Sequence, residues 1–136
     1  MTDIWSREKR SEVMSLIRSR GNKATELRLI DIFREFGITG WRRNHPLLGK
    51  PDFTFRHGKV VVFVDGCFWH GCPKYYRRPS SNQKFWDTKI ASNRKRDRRV
   101  GRELRREGWK VVRIWQHQLV KAAGVAGRVI RALELK

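Results

Sequence analysis

The sequence predicts an α/β domain in which a mixed β-sheet is flanked by helices, and three observations support that fold class. Apolar residues recur at helical spacing over residues 23–36 and again over residues 84–107. Short apolar runs of strand length lie between these two helices, and the longest reads VVVFV. A last run, WKVVRIW, follows the second helix. We expect a single domain over residues 1–136, because this length supports a core large enough to fold alone.

Two helical segments are predicted before the first strand. Residues 1–20 are basic and carry one small apolar cluster, which suits a short amphipathic helix or an arm. Residues 23–36 form the next helix, and Gly37 suits its C-terminal stop. Glu26 lies in the first turn of that helix, where the helix dipole favours an anion. The apolar residues at helical spacing are Leu27, Leu29, Ile30, Phe33 and Phe36.

Four strands and a last helix complete the prediction. Residues 38–43 form a short strand, and residues 52–55 and 59–65 form a hairpin. The second strand of the hairpin is almost continuously apolar, which is typical of a central strand that is buried on both faces. Residues 109–115 form the final strand, and residues 119–135 form a terminal helix.

The chain carries a large positive charge. Lysine and arginine total 32 against 13 acidic residues, for a formal net charge of +19. This charge attracts polyanions, and neutralisation of phosphates supplies most non-specific affinity for DNA. A ribosome-type basic protein or a membrane-surface binder would share it. No run approaches the roughly 18 apolar residues of a membrane span, and the N-terminus lacks a signal peptide's apolar stretch. We therefore expect a cytoplasmic DNA-binding protein whose residues 1–20 contact DNA.

Residues 49–72, GKPDFTFRHGKVVVFVDGCFWHGC, concentrate the reactive side chains of the sequence. Asp52 starts one predicted strand and Asp65 closes the next. A C-x4-C pair follows at once and encloses two aromatic residues and a histidine: Cys67, Phe68, Trp69, His70 and Cys72. A carboxylate repels phosphate unless a cation intervenes. Acids at the centre of so basic a chain therefore indicate a metal-dependent reaction on nucleic acid. A ribosome-type basic protein or a membrane-surface binder would not need them.

The two acids are candidate ligands of Mg²⁺, which commonly uses one or two carboxylates and leaves its other positions to water and substrate phosphates. A two-residue turn at His57-Gly58 would put Asp52 and Asp65 on one face of the hairpin. A three-residue turn would point Asp65 away and make the carbonyl of Val64 the second ligand. The sequence leaves both turns open.

His70 has two competing interpretations. Histidine is the side chain that most often takes a proton from an attacking water near neutral pH. The alternative role is a zinc ligand beside Cys67 and Cys72, because cysteines in a reducing compartment bind metal or stay as free thiols rather than pair. A structural zinc site needs four ligands. Beyond the two cysteines and His70, the candidates are His117, His45, His57, an acid or a water.

The aromatic residues of this loop suit either a core or a DNA contact. Phe68 and Trp69 lie between glycines in a polar loop, where they pack beneath the loop or enter between base steps as a wedge. A mismatch lowers the cost of unstacking, so a wedge can itself supply selectivity. Trp86, at the start of the arginine-rich helix, faces the same choice. Arginines of that helix, among them Arg94 and Arg98, are predicted to contact phosphates.

Taken together, four motifs resemble the very short patch repair (Vsr) mismatch endonuclease family. They read G-K-P-D-F, V-D-G-C-F-W-H-G-C-P, F-W-x-x-K-I-x-x-N-x-x-R-D-R-R and G-W-x-V-x-R-I-W, and the resemblance runs over residues 9–119. It implies a fold related to type II restriction endonucleases. It also implies a magnesium-dependent nick 5′ to the thymine of a T:G mismatch, which arises when 5-methylcytosine deaminates.

The resemblance also implies roles for individual residues. Asp52 would be the principal ligand of Mg²⁺, assisted by the carbonyl of Val64. His70 would be the general base, and Glu26 would support it from the helix of residues 23–36. The wedge beside the mismatch would consist of Phe68, Trp69 and Trp86.

The chain departs from the family pattern at three places. Asp65 stands where the best-known member has a second active-site histidine, which changes the proton path or adds a metal ligand. The loop after His70 is shorter, and Tyr75 replaces a histidine sometimes found past the second cysteine. The residues at zinc positions leave the set of four incomplete: Cys67, Cys72 and His117.

Three functions are compatible with these observations. The first is a mismatch-nicking enzyme of the bacterial cytoplasm, associated with the nucleoid, that acts on T:G-mismatched duplex DNA beside mismatch-repair proteins. The second is a nuclease of the same fold with another target, such as a restriction or mobile-element enzyme. The third is a non-catalytic, zinc-bearing DNA-binding module. We expect a monomer, because a single mismatch requires no twofold symmetry.

Overall fold

A four-stranded mixed sheet forms the centre of the computed structural model, which describes residues 23–134. Strands β1 (Trp41–Arg42), β2 (Phe53–Phe55), β3 (Val60–Asp65) and β4 (Lys110–Trp115) lie side by side in chain order. The pairs β1–β2 and β2–β3 are antiparallel, whereas β3–β4 is parallel. The predicted mixed sheet with flanking helices is therefore confirmed.

In the described part of the chain, three helices flank the sheet: α1 (Lys23–Glu35), α2 (Gln83–Arg106) and α3 (Ala122–Glu134). Parallel strands need a long crossover, and α2 supplies it between β3 and β4. The predicted terminal helix begins at Ala122 rather than at residue 119, because a 3₁₀ turn occupies Gln116–Val120. No helix within residues 23–134 is long and apolar enough to cross a membrane.

Three predictions for the N-terminal half of the chain differ from the structure or lie outside it. The strand predicted over residues 38–43 shortens to two residues, because Gly40 and Asn44 adopt positive φ values of 87° and 57° on either side of it. Leu27 is 46% exposed and is not part of the buried face of α1. The basic segment of residues 1–20 lies outside the described residues. The buried face of α1 consists of Leu29, Ile30, Ile32 and Phe33.

Both faces of β3 are covered, which explains its continuous apolar sequence. The side chains of Val60, Val62 and Val64 pack with α1 and α3 in the larger core cluster. Those of Val61 and Phe63 pack on the opposite face with α2. A strand between two helical layers gains from an apolar residue at every position rather than at alternate ones. Strand β3, which leads into the Asp65 region, is thus packed between α1 and α3 on one face and α2 on the other.

The register of the hairpin decides between the two predicted turns. Phe53 pairs with Val62, so the same register continued by one residue puts Asp52 opposite Phe63. This is the register of the two-residue alternative, in which Asp52 and Asp65 share a face. The observed pairing leaves residues 56–59 as the connection between the strands.

Candidate active site

The predicted acids and His70 come together near the carboxyl end of β3. Asp52 directly precedes β2, and the start of β2 lies beside the end of β3 because these strands are antiparallel. Asp65 is the last residue of β3, and His70 lies in the loop that follows. Glu26 reaches Asp52 from the first turn of α1. Three elements therefore contribute to one site.

Asp52 is a carboxyl group held in a place that disfavours its charge. The backbone N–H of Val64 donates a hydrogen bond to Oδ2 of Asp52 at 2.7 Å. Burial, together with the nearby Glu26 and Asp65, raises the pKa of Asp52 to about 7, although the hydrogen bond from the Val64 N–H opposes this rise. A bound cation would relieve the same repulsion. The group has the environment of a metal ligand rather than of an ordinary surface acid.

Glu26 is itself fixed by a cation. Arg43, just after β1, forms an ion pair with the Glu26 carboxylate. This pair joins the first turn of α1 to the edge of the sheet beside Asp52. Glu26 therefore adds negative charge to the site from a defined position.

The raised pKa of Asp52 predicts that this residue destabilises the metal-free protein at alkaline pH. The pKa rises from 3.8 to about 7 on folding, so between these values the folded state holds a proton that the unfolded state releases. Stability therefore falls as pH increases through this window and stays reduced above it. We expect Asp52→Asn to be more stable than wild type at pH 8, on the order of 2 kcal/mol, and to lose most of this advantage by about pH 4.

Thermal unfolding in chelator, followed at several pH values, measures this difference. The matched control is Asp31→Asn, which removes an exposed carboxylate from α1 and should show no comparable dependence on pH. An Asp52→Asn protein that is no more stable than wild type at pH 8 would contradict the prediction.

Asp65 is bound by an arginine that sequence reasoning missed. Nη1 of Arg113, on β4, donates to both Asp65 oxygens at 3.0 and 3.2 Å. Asp65 is only 5% exposed. Burial raises the pKa of Asp65, while the charge of Arg113 opposes this rise. The structure thus places a cation directly on this acid.

His70 contacts a second residue that sequence reasoning missed, Asp97. Nδ1 of His70 lies 2.5 Å from Oδ2 of Asp97 and 3.8 Å from Oδ1 of Asp65. A carboxylate at Nδ1 favours the tautomer with the proton there, which leaves Nε2 free to accept one. The signal for Asp97 was present: it falls on the same stripe of α2 as the buried Asn93 and Val100.

The loop that carries His70 is anchored to α2 at two points. Asn93, which is buried, donates from Nδ2 to the carbonyl of Trp69 at 2.9 Å. Gly71 adopts a φ of +62°, and a Cβ built there would lie 2.7 Å from Cγ2 of Ile90. A side chain at this position would therefore push the loop away from the helix. These contacts hold His70 against Asp97 by fixing the residues on both sides of it.

Cys67, Cys72 and His117 form a compact set of ligand atoms. Nδ1 of His117 lies 3.3 Å from Sγ of Cys67 and 3.6 Å from Sγ of Cys72. Within residues 23–134, this is the one group of three or more Cys, His or acidic side chains whose ligand atoms all lie within 4.8 Å. It includes none of the other histidines. Burial raises the pKa of the Cys67 thiol, while a hydrogen bond from the backbone of His117 opposes that rise.

The predicted wedge residues pack on each other beside the His70 loop. Phe68 lies 5.1 Å from Trp69 and 5.3 Å from Trp86, measured between ring centroids, and Trp69 lies 5.7 Å from Trp86. All three are half-buried, and none belongs to either core cluster. Phe85, at 5.1 Å from Trp86, extends the group and is 60% exposed. The rings form a partly exposed aromatic cluster at the rim of the site.

The arginines of α2 lie on its exposed side. Arg94 and Arg98 are both exposed and are one helical turn apart. Arg94 also packs its aliphatic chain near Gly71 of the His70 loop. One side of α2 therefore places Asp97 against His70, while the exposed side carries Arg94 and Arg98 close to Asp97 in the chain.

Comparisons with known proteins point in one direction. A family profile described as DNA mismatch endonuclease Vsr matches residues 2–76. The type II nicking enzyme V.NaeI of Lentzea aerocolonigenes is 46% identical over 77 residues, 57% of this chain and 46% of that protein. The type II nicking enzyme V.NmeDIP of Neisseria meningitidis serogroup C is 37% identical over 131 residues, 95% of this chain and 88% of that protein. The DNA mismatch endonuclease Vsr of Escherichia coli K12 is 34% identical over 117 residues, 85% and 74% respectively.

Proposed function

The chain belongs to the Vsr family of DNA mismatch endonucleases, and from this premise we propose that it nicks one strand of duplex DNA 5′ to the thymine of a T:G mismatch. Such mismatches arise when 5-methylcytosine deaminates, and the nick would start very short patch repair. The observation that supports this best is that Asp52, a half-buried acid with a raised pKa, lies near Asp65, which in turn lies 3.8 Å from the His70 ring that Asp97 orients.

The residues present suit Mg²⁺ as the metal. Asp52 would hold the ion together with the carbonyl of Val64, and water and DNA phosphate would complete its shell, since Mg²⁺ rarely takes more than one or two carboxylates. When bound, the ion would stabilise the charge that develops on the phosphate and lower the pKa of a bound water. Glu26 and Asp65 add negative charge around Asp52 and so favour a cation there.

His70 would act as the general base. Asp97 holds Nδ1, so Nε2 is the atom that would take the proton from the attacking water. No partner of Nε2 occurs among the described residues. The arrangement of base and orienting carboxylate is the one that proton abstraction requires.

The aromatic cluster would recognise the mismatch. Phe68, Trp69 and Trp86 present half-buried rings next to the His70 loop, and an aromatic wedge between base steps costs less where the pair is already mismatched. Arg94 and Arg98 would neutralise phosphates on the flanking backbone.

We expect Trp69→Ala to lower discrimination between T:G and matched DNA by about tenfold, because stacking of an aromatic ring on a base contributes roughly 1–3 kcal/mol. Nicking rates on two duplexes that differ only in the mismatched base measure the ratio. An equal loss on both duplexes, with a lowered melting temperature, would instead make Trp69 a packing residue.

Zn²⁺ would bind at Cys67, Cys72 and His117, which supply three of the four ligands of a structural site. Tyr75, in the place of a further histidine, lies 4.6 Å from the His117 ring between centroids. A water would fill the fourth position. The ion would hold the His70 loop against the 3₁₀ turn that follows β4.

Strand nicking tests the proposal directly. The substrate is a labelled duplex with one T:G mismatch in CTAGG or CTTGG context, incubated with Mg²⁺, with matched duplex beside it. We expect a single nick 5′ of the mismatched thymine and no cut in matched DNA.

We also propose that the protein acts as a monomer in the bacterial cytoplasm, near the nucleoid. Mismatch-repair proteins would then process the nicked DNA.

A second candidate function is nicking at another DNA target. Two of the relatives above are named type II nicking enzymes, so a role linked to restriction has its own support. Cleavage of matched duplex in the same assay would favour this function. Tight binding without a nick in either Mg²⁺ or Mn²⁺ would leave the chain without the proposed reaction.

A further inference from the structure

The ion pair between Asp65 and Arg113 bears on the part that Asp65 plays in the site. The two residues lie on neighbouring parallel strands, where Arg113 pairs in register with Phe63, two residues before Asp65. Their side chains therefore share a face of the sheet. The Arg113 guanidinium also lies 4.2 Å from the centre of the Phe63 ring. Sheet register and ring stacking together fix the arginine next to Asp65.

Both Asp65 oxygens are occupied by this contact. Nη1 of Arg113 lies 3.0 Å from one and 3.2 Å from the other, and the Asp65 side chain is nearly inaccessible to solvent. A metal on this carboxylate would either lie beside the charge of the guanidinium or displace it, and breaking a buried pair is costly. Asp52 has no arginine or lysine in contact among the described residues. The two acids thus differ in that Asp65 is paired with an arginine and Asp52 is not.

Arg113 also reaches the residue that orients His70. Nη2 of Arg113 donates to the backbone carbonyl of Asp97 at 3.3 Å, and Nη1 lies 3.9 Å from its Oδ1. The other carboxylate oxygen of Asp97 contacts Nδ1 of His70. One guanidinium therefore joins the end of β3, strand β4 and the middle of α2. These contacts fix the position of Asp97 relative to the end of β3.

We propose that Asp65 and Arg113 are positioning residues: Asp65 fixes Arg113, and Arg113 holds Asp97 in contact with His70, so that Asp65 does not bind the catalytic metal. The inference rests on the proposed function, because it assigns His70 the role of base. It replaces the metal-ligand alternative for Asp65 with an indirect role. Where the resemblance implies a second histidine in the family, this chain would thus use the pair of Asp65 and Arg113.

Two substitutions separate these roles in nicking kinetics. Asp65→Asn keeps an oxygen that accepts from Arg113, so we expect kcat within about fivefold of wild type and an unchanged Mg²⁺ concentration for half-maximal rate. Arg113→Met releases Asp97, and we expect kcat to fall about 10- to 100-fold with KM for DNA unchanged, because small misplacement of a catalytic group costs this much. Arg113→Lys keeps the charge but not both contacts, and should lie between.

A spectroscopic measurement tests positioning without activity. An imidazole N–H held by a carboxylate at 2.5 Å gives a far-downfield proton resonance, assigned by its loss in His70→Gln. The resonance should persist in Asp65→Asn and weaken or vanish in Arg113→Met and Arg113→Lys. Arg131→Met, which removes an exposed arginine from α3, is the matched control and should change neither kinetics nor spectrum.

Three outcomes would overturn the inference. A large loss of kcat in Asp65→Asn, with a raised Mg²⁺ requirement, would make Asp65 a metal ligand. A raised KM in Arg113→Met at unchanged kcat would make Arg113 a phosphate contact. Persistence of the downfield resonance in both Arg113 variants would remove the link to Asp97. Absence of nicking by wild type would instead refute the proposed function, and the spectra would still test the positioning role.

Discussion

Replacement of Asp52 by asparagine should lower the nicking rate by about 10³-fold, which corresponds to about 4 kcal/mol of lost transition-state stabilisation. The residue combines burial, a raised pKa and the proposed metal position, so its loss removes the ion from the reacting phosphate. DNA affinity should stay the same or rise, because one negative charge disappears from a surface that binds phosphates.

Single-turnover nicking at saturating enzyme measures the rate, and binding at a fixed salt concentration measures the affinity. Asp31→Asn serves as the matched control and should retain wild-type rates. If Asp52→Asn nicks T:G duplex as fast as wild type, the metal lies elsewhere and the assignment of the site is wrong.

The second large effect is expected at His70. His70→Gln should lower kcat by about 10²- to 10⁴-fold, the range over which a positioned base contributes. KM for DNA should change little, because the ring contacts Asp97 within the protein rather than a phosphate. The control is His57→Gln, at the opposite end of β3 in the connection to β2.

Zinc content separates the two interpretations of His70. A general base can be replaced without loss of the ion, so His70→Gln should bind as much zinc as wild type. Cys72→Ser should bind less, since Cys72 belongs to the group that includes His117. Loss of zinc from His70→Gln, with activity restored by added zinc, would make the histidine a ligand and leave the base unidentified.

The fold class was predictable from sequence because its signals are local. The apolar run of β3 and the helical periodicities of α1 and α2 each require only a short window, and each appears where the pattern predicts it. The two-residue length of β1 was not predictable, because it depends on positive φ values at Gly40 and Asn44. The hairpin register also depended on a turn whose length the sequence left open.

The site was only partly predictable for a related reason. Asp52 and His70 lie in a short motif that resembles a known family, so the roles proposed for them follow from local sequence. Asp97 contacts His70 from 27 residues away in the chain, and Arg113 contacts Asp65 from 48 residues away. Pairings over such distances leave no mark in periodicity. An acid on the inner stripe of an arginine-rich helix was the one available sign of Asp97.

The parallel pairing of β3 with β4 has a consequence for the order in which activity arises during synthesis. A nascent chain that has just exposed β3 and the following loop already carries Asp52 and His70, but not Asp97, Arg113 or His117. Those residues arrive with α2, β4 and the turn after it, and domains generally fold as units once their last elements emerge. Asp52 and His70 are therefore translated before the residues that position the His70 ring, and we expect a chain that ends before α2 to nick DNA poorly.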